Sequence, residues 1–150
     1  MSQIHARQRA FILAVVFTLL LAACGQSQPA ASTPPALAVA AKEFAFAPAA
    51  LTVKAGQPVT INLQNQGAVE HDWSVREIEI TGEAKSSGDA HSGHMMGVMR
   101  NQPKLHLVAA IGGKSTLTFT PSTPGTYEFY CTVAGHKDAG MVGTLMVTAS

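Results

Sequence analysis

The sequence predicts an all-β fold, an eight-stranded Greek-key β-sandwich, and three observations carry that prediction. From Leu37 onward, short runs of β-branched and apolar residues recur between Gly, Pro and Asn. No amphipathic helical pattern interrupts them. In Val59-Thr60-Ile61-Asn62-Leu63 apolar and polar residues alternate, as an antiparallel strand buried on one face requires. About eight strands with such punctuation suit a sandwich with Greek-key connections.

The candidate strands run in order as Leu37 to Phe46, Leu51 to Lys54, Pro58 to Gln64, Asp72 to Ile80, Lys104 to Ala110, Ser115 to Thr120, Gly125 to Cys131 and Gly143 to Thr148. Between them, Lys54-Ala55-Gly56-Gln57, Asn65-Gln66-Gly67, Ile111-Gly112-Gly113-Lys114 and Ser122-Thr123-Pro124-Gly125 supply permissive or pre-bent residues where the chain must reverse. Residues 37–150 are expected to form one domain, because 150 residues including a leader leave room for a single core of ordinary size.

The leader is legible. Arg7 and Arg9 precede the apolar run Phe11 to Leu21, too short to span a bilayer comfortably and suited to a signal-peptide core. Residues 1–23 are therefore expected to be removed. Leu21-Ala22-Ala23-Cys24 resembles a bacterial lipobox, in which the Cys is lipidated and becomes the first mature residue. A plain secretory signal with an incidental Cys competes with this, since small residues also precede ordinary cleavage sites. Lipid on Cys24 would hold the protein at the extracytoplasmic face of a bacterial membrane, in the periplasm or at the cell surface. Residues 24–36, with their Gln, Ser, Ala, Thr and Pro, would then be a flexible tether.

Charge excludes one class of partner. Ten Lys and Arg stand against nine Asp and Glu, and without Arg7 and Arg9 the balance is eight against nine, a net −1. Nothing is basic enough for nucleic acid, and a monomer is expected. If Cys24 is acylated, Cys131 has no disulfide partner and is the sole thiol of the folded domain. That excludes a binuclear copper centre with two bridging thiolates and argues against structural zinc, which usually wants more Cys.

Cys131, His136 and Met141 are separated by four residues each time, directly after Tyr127-Glu128-Phe129-Tyr130. Period-two alternation puts Tyr127, Phe129 and Cys131 on one face and Glu128 and Tyr130 on the other. The loop 132–141 is long enough to turn over the end of the sandwich and return His136 and Met141 to one atom, with Gly135 and Gly140 easing the bends. His71 opens a different strand and is expected to close the site from the neighbouring sheet, with Trp73 packing beneath it. Singly, a buried Cys, a Met near a strand start and a loop His are commonly core filler or solvated surface. Together they are the ligand inventory of a mononuclear blue-copper site, in which soft sulfur favours Cu(I) and imidazole also suits Cu(II).

Four protein ligands, His71, Cys131, His136 and Met141, leave no open position for substrate, so the expected role is one-electron carrier and not enzyme. Ala134, Gly135, Ala139 and Gly140, with Val142 nearby, make a small apolar rim around His136. Redox protein partners are expected to dock there, with the His136 ring edge as electron exit. Tyr130, outward-facing beside Cys131, is a second candidate port.

Several segments look like successive cupredoxin signatures: Phe46-Ala47-Pro48, Val53-Lys54-Ala55-Gly56, Asn65-Gln66-Gly67, His71-Asp72-Trp73 and Pro124-Gly125-Thr126-Tyr127-Glu128-Phe129-Tyr130-Cys131. The resemblance covers Leu37 to Ser150, and the equal four-residue ligand intervals look most like the auracyanin subfamily. It implies one type 1 copper ion and electron exchange with respiratory or photosynthetic complexes.

One departure stands out. These relatives usually place Asn directly after the first His ligand, where it braces the ligand loop, and this chain has Asp72. A protonated Asp72 would mimic that brace, whereas a charged carboxylate near the thiolate would favour Cu(II) and depress the potential. Thr81 to Pro103 is expected to be an insertion, and holds His91, His94, Met95, Met96 and Met99 within nine positions. These residues suit an additional Cu(I), or else belong to a mobile segment that covers the copper end. The second function class is therefore extracytoplasmic copper storage or delivery through that insertion.

Overall fold

The computed structural model describes residues 33–88 and 102–150. Among the described residues ten strands form: β1 (Ala36–Lys42), β2 (Ala45–Ala47), β3 (Ala50–Lys54), β4 (Val59–Asn65), β5 (His71–Val75), β6 (Lys85–Gly88), β7 (Leu105–Ala109), β8 (Lys114–Phe119), β9 (Gly125–Tyr130) and β10 (Val142–Thr148). One sheet has the order β2-β1-β4-β8-β6 and the other β3-β10-β9-β5-β7. The expected two-sheet, all-β fold is present.

Alternation builds the core. Along β4, Val59, Ile61 and Leu63 are buried while Thr60, Asn62 and Gln64 are partly exposed. Val39 and Ala41 of β1, and Leu117 and Phe119 of β8, meet them from neighbouring strands. The opposite sheet contributes Trp73, Val75, Leu105, Leu107, Phe129 and Leu145. Trp73 stacks at a tilt on Phe129 with ring centroids 5.4 Å apart, and Phe46 meets Phe129 edge-on at 5.2 Å. Burying each such side chain stabilises the fold by about 1.5–3 kcal/mol.

Three boundaries differ from expectation. The expected strand Leu37 to Phe46 divides at Glu43-Phe44, because β2 turns back antiparallel onto β1 with Lys42 opposite Ala45. Phe44 takes a left-handed φ of 61°, a conformation that bulky side chains rarely adopt. The expected strand Asp72 to Ile80 ends at Val75, and Ile80 makes only an isolated bridge to Pro121. Finally, the start of the expected insertion is not irregular, since β6 pairs with β8 through Lys85 opposite Thr118. Residues 1–32, including Cys24, and residues 89–101, including His91, His94, Met95, Met96 and Met99, lie outside the described residues.

Candidate metal centre

β9 carries Tyr127 and Phe129 on the face turned to the other sheet, and Cys131 follows in register as the chain leaves the strand. Cys131 is fully buried. The loop beyond it is a succession of tight turns: His136 N–H donates to Val133 O at 3.0 Å, Ala139 N–H to Gly135 O at 3.0 Å and Gly140 N–H to Lys137 O at 2.9 Å. Left-handed Gly135 (φ 81°) and Gly140 (φ 97°) let the chain make these reversals. Met141 N–H then donates to His136 O at 2.9 Å, and Cys131 N–H donates to Met141 O at 3.2 Å. The loop is thus closed by backbone bonds among the three residues singled out by spacing.

His71 arrives not from the neighbouring sheet, as expected, but from the same one, because β5 pairs directly with β9 through Ser74 opposite Tyr130. Ligating atoms of His71, Cys131 and His136 all lie within 4.8 Å of one another, and all three side chains are buried. Cys131 Sγ is 3.5 Å from His136 Nδ1, and the two imidazole centroids are 5.0 Å apart. Met141 is also fully buried. Both ring nitrogens of His71 are buried without a hydrogen-bond partner. A buried imidazole with neither nitrogen satisfied is costly as it stands. A cation shared with a thiol and a second imidazole removes that cost, and the sulfur-plus-imidazole donor set is the one copper selects.

Burial also shapes the protonation of the site. It pushes the Cys131 thiol up to about 11, helped by the charge of Asp72 and opposed by the Asp72 backbone N–H. Burial likewise pushes His71 below its ordinary value, reinforced by repulsion from His136 and opposed by Glu43 and Asp72. His71 is therefore held ready as a neutral donor, whereas Cys131 keeps its proton until a cation displaces it.

Asp72 fills the bracing position. Thr132 N–H donates to both of its oxygens at 3.0 Å, the Thr132 hydroxyl donates to Oδ2 at 2.8 Å, and the Ser74 hydroxyl donates to Oδ1 at 2.6 Å. The carboxylate thus ties β5 to the loop that begins at Cys131. Asp72 N–H points at Cys131 Sγ, 3.4 Å away. Asn65 braces the other approach, donating to Val69 O at 2.7 Å and Ala109 O at 3.0 Å while accepting from Gly67 N–H at 2.9 Å. It holds the loop that delivers His71.

Two residues beside the imidazoles escaped the sequence reading. Glu43 accepts a hydrogen bond from Ala68 N–H and lies 4.0 Å from His71 Nε2. That backbone hydrogen bond holds the Glu43 carboxyl below its ordinary value. Phe44 stands against His136 with centroids 5.4 Å apart. The tip of the β1–β2 hairpin therefore touches the surroundings of both imidazoles. Its only signal was the charged pair Lys42-Glu43 interrupting an otherwise apolar run. Tyr130, expected at the surface, is only 4% exposed, because Lys137 Nζ sits 4.2 Å from its ring centroid and Arg76 packs on it at 5.8 Å.

Copper-binding proteins of the plastocyanin/azurin family match residues 35–148. The chain belongs to that family. It is a cupredoxin in fold and in donor set, and the family's single copper has His71, Cys131, His136 and Met141 positioned to receive it. Auracyanin-A of Chloroflexus aurantiacus is 34% identical over 93% of this chain and 96% of its own length. The copper-resistant cuproprotein CopI of Pseudomonas aeruginosa is 30% identical over 83% of this chain and 82% of its own. The solved structure of auracyanin A, a "blue" copper protein, superimposes with a TM-score of 0.57 at 27% identity, covering 77% of this cupredoxin and all of that chain.

Proposed function

We propose that this cupredoxin is a one-electron carrier, tethered by lipid on Cys24 to the extracytoplasmic face of a bacterial membrane, with His71, Cys131, His136 and Met141 as its copper ligands. The observation that carries the reading is the buried pair of unsatisfied His71 nitrogens beside Cys131 and His136. Bound copper supplies a couple between Cu(II) and Cu(I) without exchange of atoms.

The residues around the site do the holding. Trp73 and Phe129, each two residues along the chain from a donor, are fully buried and stack on one another. Asp72 locks Thr132, and Asn65 locks Val69, so the loops bearing Cys131 and His71 are each pinned to the sheet. A site fixed on both sides has little freedom to rearrange when the charge changes, which favours fast exchange. Redox proteins would approach at His136, the only one of the three buried donors with measurable exposure, at 8%.

The test is the visible spectrum of the copper-loaded protein. An intense thiolate charge-transfer band is expected, lost in Cys131→Ser and restored on reoxidation after chemical reduction. A colourless oxidised holoprotein would end the reading.

Copper storage or delivery is the second reading, favoured by the similarity to a copper-resistant cuproprotein. Transfer kinetics separate the two. A carrier keeps its copper through many redox cycles in the presence of a Cu(I) acceptor, and a delivery protein surrenders it.

A further inference from the structure

On the outer face of its sheet, β5 pairs with β7 so that Ser74 lies opposite His106. Ser74 Oγ is 2.8 Å from His106 Nδ1 and donates to Asp72 Oδ1 at 2.6 Å. Asp72 Oδ2 is in turn 3.6 Å from Cys131 Sγ. A continuous line of polar contacts therefore runs from β7 to the buried sulfur. The His106 side chain is 45% exposed and that of Asp72 only 4%. One end of the line meets solvent and the other meets the metal centre.

We infer that His106 is a positioning residue for the copper site, whose charge acts on Cys131 through Ser74 and Asp72 and makes the redox potential depend on pH. The inference rests on the carrier reading above.

Counting donors fixes the direction of the line. Ser74 has one hydroxyl proton, and Asp72, which otherwise receives Thr132 N–H and O–H, takes it. The free lone pair of Ser74 Oγ then faces His106 Nδ1, which must carry a hydrogen. A proton from solvent adds at the other ring nitrogen. No bond in the line breaks, and a positive charge appears 3.8 Å from Asp72 Oδ1.

The sign follows from Coulomb's law. A negative Asp72 beside the thiolate favours the more positive, oxidised centre, and an imidazolium behind Asp72 offsets that preference. Reduction brings one electron from the donor to the metal and favours uptake of one proton from solvent at His106, and both depart on reoxidation. Arg76 after β5, Tyr130 of β9, and Lys137 and Asp138 of the ligand loop share with His106 a cavity of about 610 Å³. His106 is the imidazole among these residues, and imidazole is the side chain that ordinarily changes charge between about pH 5 and 8.

The experiment is a spectroelectrochemical titration of the copper-loaded full chain over about pH 5 to 8, the imidazole range, with a soluble one-electron mediator. The wild-type potential is expected to rise as pH falls. His106→Gln, which keeps a hydrogen bond to Ser74 without a titrating charge, should flatten the profile, and Ser74→Ala should lower its slope. Equal slopes in wild type and His106→Gln, or a flat wild type, with the blue band intact overturn the inference alone. A wild type without that band removes the copper reading and the inference together.

Discussion

The Phe44 ring stands edge-on to His136, with centroids 5.4 Å apart and planes at 85°. Phe44 is 49% exposed, so the ring is half in solvent and half against a buried copper-site imidazole. The electron exit read from the sequence, a bare His136 edge ringed by Ala and Gly, is in fact overlain by an aromatic from a distant hairpin. The left-handed φ of Phe44 places it there, and a bulky residue in that region is disfavoured unless its surroundings hold it.

Phe44→Ala is expected to uncover His136 while leaving the fold intact. An edge-to-face aromatic contact contributes about 0.5–1.5 kcal/mol, so copper retention against a chelator should fall by about 2- to 12-fold. Competition with a coloured Cu(I) chelator measures it, and unchanged retention would show that the ring does not guard the site.

Gly67→Ala should disturb the site from the other side. A Cβ there would lie 2.6 Å from Glu43 Oε1 and 2.7 Å from His71 Nε2. Glu43 can swing away, but the His71 ring is enclosed. Overpacking of this kind costs about 1–3 kcal/mol, expected as a lower melting temperature of the apoprotein and a weaker copper complex.

Asp72→Asn removes a negative charge 3.6 Å from the sulfur while keeping a hydrogen-bonding side chain. The midpoint potential should rise, on the order of 59 mV for each tenfold loss of preference for the oxidised form in a one-electron couple. Redox titration of both proteins decides, and a lowered or equal potential would remove Asp72 as its tuner.

The apoprotein should be most stable between neutral and mildly alkaline pH. The Cys131 thiol is raised from an ordinary 9.0 to about 11, so between those values the unfolded chain sheds a proton that the folded chain keeps, and stability falls as pH rises. The full loss is roughly 2–3 kcal/mol. His71 is shifted the other way, so below its ordinary value of 6.5 the unfolded chain takes a proton that the folded chain refuses, and stability falls as pH drops. Urea denaturation of wild type and Cys131→Ser across pH tests this, the alkaline limb vanishing in the variant. Copper loading at neutral pH should release the Cys131 proton, so apparent affinity should rise about tenfold per pH unit.

Cys24→Ser should shift the protein from the membrane fraction to the soluble extracytoplasmic fraction. Fractionation with detection of the incorporated acyl chain measures it, and unchanged membrane association would remove the lipid anchor.

Strand interiors were legible because a two-sheet sandwich imposes period-two burial, and Val59-Thr60-Ile61-Asn62-Leu63 announces it within five residues. The break at Glu43-Phe44, the end of β5 at Val75 and the strand β6 were not. Glu43-Phe44 turns without Gly, Pro or Asn, so nothing local marks it, and Lys85–Gly88 joins a sheet through backbone bonds to β8 despite its polar side chains. The bracing residues were only half visible. Asp72 stood out as a departure from a resembled pattern, whereas Ser74, His106 and Thr132 are ordinary residues until pairing of β5 with β7 and β9 brings them around it.

By itself, the sequence determined the donor chemistry: one thiol, one thioether and one imidazole on a single short loop, because ligands with only four residues between them are tied by the chain before anything folds. It also determined the sandwich, since alternation is a local property of each strand. Only the tertiary structure decided that His71 meets this loop with both nitrogens unsatisfied, that Asp72 links Thr132 to Ser74 and His106, and that Phe44 covers His136. Apart from the local Asp72–Ser74 bond, those contacts join residues 32 to 92 positions apart, and no local spacing encodes a distance that only the packing of strands creates.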